Sequence, residues 1–227
     1  MARLNKLMKF AEMRTFSNVF QNFDPTNPKL IGAFDKEIDL KGKWNELHFK
    51  NNKPIVLELA CGRGEYCLGL ADLYPDKNFI GVDIKGARLW RGATNALEQN
   101  LQNIAFLRTR IEQLDLFFGE NEISEIWITF PDPFEGKESR RLTANKFLDK
   151  YKEIVSENAI IQLKTDAISL YEFTQETLQA RPDIKVLVDE NDIYKQEVSA
   201  ALSIKTHYER LHLAKGKKIT YIQFIYI

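Results

Sequence analysis

From Pro54 onward the sequence alternates short apolar runs with helix-spaced segments, and this alternation most constrains the fold. Residues 55–59, 78–83, 104–107, 126–130, 159–163 and 184–188 read as strands. Residues 65–73, 87–99, 111–118, 147–155 and 168–178 between them have helical spacing. A final alternating run, 219–227, rich in Ile and Tyr, reads as a seventh strand. Strands that alternate with helices in this way specify an α/β chain with a doubly wound, mostly parallel sheet. A division into residues 1–52, an N-terminal arm and lead-in, and residues 53–227, one domain, is expected. With 44% hydrophobic residues, including 15 Phe and 8 Tyr, the core has ample material and wholesale disorder is excluded.

The first expected strand runs into a glycine turn, Glu58-Leu59-Ala60-Cys61-Gly62-Arg63-Gly64-Glu65. Strand, glycine turn and helix let backbone approach a ligand closely. The second strand ends in Asp83, where an acid meets the ribose hydroxyls of a nucleoside. A dinucleotide site wants a third glycine in the turn, and that position is Cys67. Glu65 in the first helical turn repels pyrophosphate. Together with Glu58 it favours a cationic ligand, and S-adenosylmethionine carries both a sulfonium and an ammonium group. This charge argument sets a methyltransferase above a dehydrogenase. The bland role for Glu58 is a buried acid paired with a backbone N–H; without a partner its burial is costly, which favours a ligand role.

The fourth strand leads into Thr129-Phe130-Pro131-Asp132-Pro133-Phe134. Each proline fixes its own φ, and residues before proline are driven toward extended conformations. A stiff, extended loop presenting Asp132 is expected, at the strand ends where open α/β sheets bind ligands. The bland alternative is a turn whose Asp accepts a backbone N–H.

On these residues the chain resembles the bacterial tRNA (guanine-N7-)-methyltransferase family. The likeness is carried by Glu58 to Glu65, Phe79-Ile-Gly-Val-Asp-Ile84, Phe130-Pro-Asp-Pro-Phe134, Leu163-Lys-Thr-Asp166 and Thr206-His-Tyr-Glu209, in the family's order. The first 50 residues carry no motif of it. The resemblance implies a Rossmann-like class I enzyme with a seven-stranded sheet. It implies methyl transfer from S-adenosylmethionine to N7 of the guanosine at position 46 in the tRNA variable loop. It assigns Glu58, Asp83 and Asp132 to the cofactor, and catalysis to Asp132; Gly62 and Gly64 of the glycine turn, and Arg110, are expected beside the cofactor with them. It assigns Asp166, Thr206, His207, Tyr208 and Glu209 to the substrate, and Gly136 and Lys137, at the place of the family's lysine, are expected to join them. Three places depart from the pattern. Arg110-Ile111 stands where the family has an acid or amide followed by Ala. Gly136 stands where a lysine is expected, with Lys137 beside it. Glu157-Asn158 replaces a glycine pair.

Guanine N7 has a lone pair and no proton, so its methylation needs no general base. A fixed carboxylate would receive the positive charge arriving on the purine and read its Watson–Crick edge. Phe130 or Phe134 would stack on the base, unless they are core.

Formal net charge is zero, so contact with RNA must come from local patches. Two runs supply them: Lys137, Arg140, Arg141, Lys146, Lys150 and Lys152, then Lys205, Arg210, Lys215, Lys217 and Lys218. The Thr206-x-x-Glu209 spacing also opens a helix as a capping box. The first twenty residues, with Arg3, Leu4, Lys6, Lys9 and Arg14, are a basic amphipathic arm: solvated, or touching a polyanion. Residues 21–52, with Asp24-Pro25, read as an irregular lead-in with one helix over 41–49.

No apolar run reaches membrane-spanning length, and the opening residues lack a signal peptide's apolar core. Cys61 and Cys67 are expected as free thiols of a cytoplasmic protein. They and three scattered histidines make no zinc spacing, so no metal is expected. A monomer or homodimer is expected. The rival functions are a Rossmann methyltransferase for another nucleic-acid or small-molecule target, and a non-catalytic RNA- or nucleotide-binding module.

Overall fold

The computed structural model describes residues 5–22, 24 and 26–227; Arg3, Leu4 and Pro25 lie outside them. The strands are β1 (Val19–Gln21), β2 (Leu30–Ile31), β3 (Glu37–Ile38), β4 (Ile55–Leu59), β5 (Asn78–Val82), β6 (Ile104–Arg108), β7 (Ile123–Thr129), β8 (Val155–Thr165), β9 (Ile184–Glu190) and β10 (Thr220–Tyr226). They form one sheet in the order β3-β2-β1-β6-β5-β4-β7-β8-β10-β9. The helices are α1 (Lys6–Met13), α2 (Glu65–Leu73), α3 (Gly86–Glu98), α4 (Leu114–Phe117), α5 (Asn145–Ile154), α6 (Ile168–Gln179), α7 (Ala200–Ser203) and α8 (His207–Ala214).

Neighbours from β1 to β8 through the centre pair in parallel. β10 runs antiparallel between β8 and β9. The seven strands expected after Pro54 are all present. Three short ones at one edge, β1 to β3, were not foreseen, because two or three residues are too few to display a period of two.

The sheet is covered on both faces. Ile55, Leu57 and Leu59 of β4 pack into one apolar cluster with α5 and α6, and Val56 packs into the other with α2 and α3. This alternation leaves Glu58 on the α2 face, where its buried charge needs partners.

The lead-in is not loose. Trp44 is buried, stacks on Phe118 at 5.5 Å and donates Nε1 to the Phe117 carbonyl. The helix expected over 41–49 is a π-helical segment, Trp44–Phe49. Asn5 caps α1 by accepting from Met8 N, and the helix packs on α3. The solvated extension expected for this arm is corrected: Met13 is buried, and Trp90 on α3 donates to Glu12.

Candidate active site

Because β4 to β8 are parallel, their carboxyl ends share one edge, and the order of connections reverses between β4 and β7. Open α/β sheets bind ligands at that switch point. The glycine turn follows β4, Asp83 follows β5, Arg110 follows β6, the Phe130–Phe134 loop follows β7 and Asp166 follows β8.

In the turn, Ala60, Gly62 and Gly64 all have positive φ. Gly64 N bonds the Cys61 carbonyl at 2.7 Å, and Cys61 N bonds Val82. The two glycines have different jobs. A Cβ on Gly62 would meet nothing nearer than 4.0 Å, so its face is open to a ligand. A Cβ on Gly64 would meet Phe106 at 2.6 Å, so Gly64 is needed for packing. The close helix approach that a third glycine would give comes from Gly92 on α3, where a Cβ would lie 2.6 Å from the Arg63 carbonyl. Asp83 is nearly buried and holds the turn in place: Oδ2 accepts from Gly62 N at 2.8 Å and Oδ1 from Lys85 N at 2.7 Å. Ile84 beside it exposes half its surface, an apolar face next to an acid. Open glycine backbone, a fixed acid and an exposed apolar face fit an adenosyl group.

Glu58 lies deeper than the ligand role requires. Its oxygens accept from Thr129 Oγ1 at 2.6 Å and Cys67 N at 2.9 Å, and only 3% of the residue is exposed. Burial pushes its carboxyl up to about 8, so it is mostly protonated at neutral pH without a cation beside it. The geometry is that of the bland alternative, a buried acid that joins the ends of β4 and β7. Glu65 accepts from His207 N at 2.5 Å, which ties the glycine turn to the start of α8. Arg110 is exposed and stands at the residue before the short turn Ile111–Gln113, with no side-chain bond to it.

The Phe130–Phe134 loop is bent, not extended. Phe130 and Phe134 have φ of 47° and 45°. The extended backbone expected before proline is corrected at Phe130. Non-glycine residues in this region cost on the order of 1–3 kcal/mol each and persist where their surroundings hold them. Phe130 N bonds the Lys164 carbonyl at 2.8 Å, and buried Arg141 donates to the Pro133 carbonyl at 2.9 Å. Asp132 is exposed, with Oδ1 accepting from Phe134 N at 3.0 Å. The turn and the presented acid are therefore one arrangement. Phe130 is half-buried, and its ring is already in contact: His212 stacks on it, with centroids 6.2 Å apart, and Lys164 Nζ lies over it. Phe134 is half-buried.

Lys164 carried no expected role, although a lysine inside an apolar strand is a visible signal. Its side chain is fully buried, with Nζ 2.8 Å from Glu209 Oε1. It also donates to the Leu202 and Ile204 carbonyls, and Tyr194 donates to Glu209. Burial pulls the Lys164 ammonium down and Glu209 opposes that shift.

Two expected substrate contacts are corrected here. The Glu209 side chain is 0% exposed and fully engaged. Thr206 is buried and caps α8 by accepting from Glu209 N, half of the expected capping box. His207 and Tyr208 between them are exposed, as are Gly136 and Lys137. Gly136, at φ 66°, has open space where a Cβ would be. Asp166 is mostly shielded, with Oδ2 2.5 Å from Lys217 Nζ and 3.1 Å from His212 Nδ1.

The basic runs are also thinned. Arg141, Lys150, Lys152 and Lys217 make contacts within the protein. Lys137, Arg140, Arg210, Lys215 and Lys218 remain exposed.

The sheet order and this edge define a class I, S-adenosylmethionine-dependent methyltransferase. Solved structures share the fold: a 16S rRNA methyltransferase, KamB, matches with a TM-score of 0.61 at 12% identity over 83% of this chain and 94% of that one. The antibiotic-resistance methyltransferase Kmr matches with a TM-score of 0.59 at 13% identity, over 85% and 95%. The family model described as "Putative methyltransferase" matches residues 52–222. The tRNA (guanine-N(7)-)-methyltransferase of Christiangramia forsetii is 48% identical over 99% of both chains. That of Bacteroides fragilis is 45% identical over 97% of this chain and 85% of its own. The chain belongs to the tRNA (guanine-N7-)-methyltransferase family.

Proposed function

We infer that the protein transfers a methyl group from S-adenosylmethionine to N7 of a guanosine in tRNA, with position 46 as the target and the cytoplasm as the place. The relatives named above support the reaction and the substrate. One structural observation carries it furthest: Asp132 is held exposed at the switch point, on the same edge as the open Gly62 turn. When bound, S-adenosylmethionine supplies an electrophilic methyl group on a sulfonium. Gly62, Asp83 and Ile84 bind and orient its adenosyl part, with Arg110 at the rim. Gly64 and Glu58 shape that cradle from behind. Asp132 accepts hydrogen bonds from guanine and stabilises the positive charge that arrives on the ring. No proton leaves N7, so Asp132 works as a fixed charge and not as a base. Gly136, Lys137, His207 and Tyr208 contact the RNA, and Asp166 orders the region through Lys217 and His212. Residues 53–227 carry this machinery, and the lead-in buttresses it.

The test is methyl-labelled S-adenosylmethionine with unmodified tRNA, followed by cleavage at 7-methylguanosine. Label is expected at a single guanosine in the variable loop; label elsewhere, or none, refutes the assignment. Asp132→Asn keeps the turn but removes the charge. It is expected to slow transfer at saturating cofactor and tRNA by roughly a hundredfold, the size of losing one preorganised electrostatic contact. A near wild-type rate would show that the charge is not used.

A further inference from the structure

The basic helix α1 has no part in the chemistry above, yet it is docked beside the site. A Cβ on Gly86, the first residue of α3, would lie 2.4 Å from the Phe10 ring. Phe10 therefore plugs the start of α3, three residues after Asp83. Cations are gathered around this joint. Lys6 Nζ and the Arg108 guanidinium lie 5.8 and 4.7 Å from the Phe10 centroid. Lys9 Nζ and the Arg91 guanidinium lie 4.6 and 5.0 Å from the Trp90 centroid. Lys9 and Arg91 are thus within about 10 Å of each other, close to one Debye length at physiological salt, and they repel. Exposed Lys85 and Arg88 continue the strip to the rim.

The counter-charge is thin. Across residues 5–14 and 83–91, six basic residues stand against two acids. Arg14 is paired with Asp35. Both acids already accept protein donors: Glu12 from Trp90 Nε1, Asp83 from Gly62 N and Lys85 N. The aromatic joint holds like charges together along one side of α3. They start at the carboxyl edge of the sheet, just past Asp83, and extend about 7 Å down the helix, at 1.5 Å per residue. The strip and the Asp132 loop lie on the same carboxyl edge of the sheet, so the phosphates of a polyanion lying along that edge would supply negative charge here.

We propose that α1 and the first half of α3 form a second phosphate-binding surface for the tRNA, built from Lys6, Lys9, Lys85, Arg88 and Arg91. This rests on the tRNA reading above. Each phosphate contact releases counterions, so binding through the strip is salt-dependent.

The experiment measures tRNA binding against salt for the wild type and for Lys6→Gln/Lys9→Gln/Arg91→Gln. Affinity is expected to fall roughly tenfold or more at low salt. The slope of log affinity against log salt is expected to shrink by about 2 to 3, as for three lost contacts. S-adenosylhomocysteine binding and the rate at saturating tRNA should not move. Lys6→Arg/Lys9→Arg should behave as wild type. If the triple variant folds poorly, Lys6→Gln/Lys9→Gln should show the same effect at roughly two thirds of the slope change. Unchanged affinity and slope overturn the proposal, and so does binding to anionic lipid vesicles that the substitutions abolish while tRNA binding stays intact. Labelling of N7 by the wild type is measured separately, so failure of the strip and failure of the tRNA reading are told apart.

Discussion

At the scale of single residues, acids that looked alike in sequence divide by depth. Asp132 is exposed, Asp83 is bound to the glycine turn, and Glu58 is sealed behind both. Burial raises the Glu58 carboxyl from an ordinary 4.5 to about 8, and the hydrogen bonds from Thr129 and Cys67 only partly offset it. A raised folded-state value means the folded protein keeps this proton where the unfolded chain has lost it. The stabilising contribution is complete below pH about 4.5 and fades as pH rises through about 8. Glu58→Gln cannot ionise and should remove that part of the pH dependence. Its melting temperature should fall less than that of the wild type between pH 5 and 8. Parallel curves for the two proteins would show that Glu58 is ionised throughout.

At the scale of elements, the long strands and helices were legible because their periods repeat. α2 was read at its observed bounds, and the other central elements within a few residues. The glycine turn and Asp83 were equally legible, since strand, turn and strand-end acid follow chain order. What could not be read was which way a side chain points after a bend. Glu209 was read as a substrate contact from its place in a motif, but the cap at Thr206 turns it inward onto Lys164. Phe130 was open to a base on paper and is covered by a histidine 82 residues later in the chain. Lys164 joins β8 to α8 through Glu209 and to the stretch before α8 through Leu202 and Ile204. Lys164→Met would strand a buried carboxylate. The expected loss is about 3–5 kcal/mol of stability in urea unfolding, the usual size for breaking a buried pair. A loss below about 1 kcal/mol would mean that Glu209 becomes protonated at little cost.

At the scale of the whole molecule, the sheet is ordered from its middle outward. β4 is bonded on both sides, by β5 and β7, while β9 is bonded only by β10. Amide hydrogen exchange should follow that order, slowest in β4 and faster in β9 by at least an order of magnitude, because edge elements open at lower free energy. Equal protection would mean the sheet opens only as one unit.

The same arrangement has a bearing on biosynthesis. A chain emerging from the ribosome presents residues 184–190 well before residues 220–226, yet the later strand is the one that lies between β8 and β9. Until it arrives, β9 has no ladder partner, and Val186 and Leu187, about two-fifths exposed even in the finished fold, face water on an open strand. The nascent protein therefore passes through a stage in which the glycine turn and Asp132 loop have been made while the far side of the sheet is unzipped. That interval is where a chaperone would bind it or a neighbouring nascent chain would pair with it.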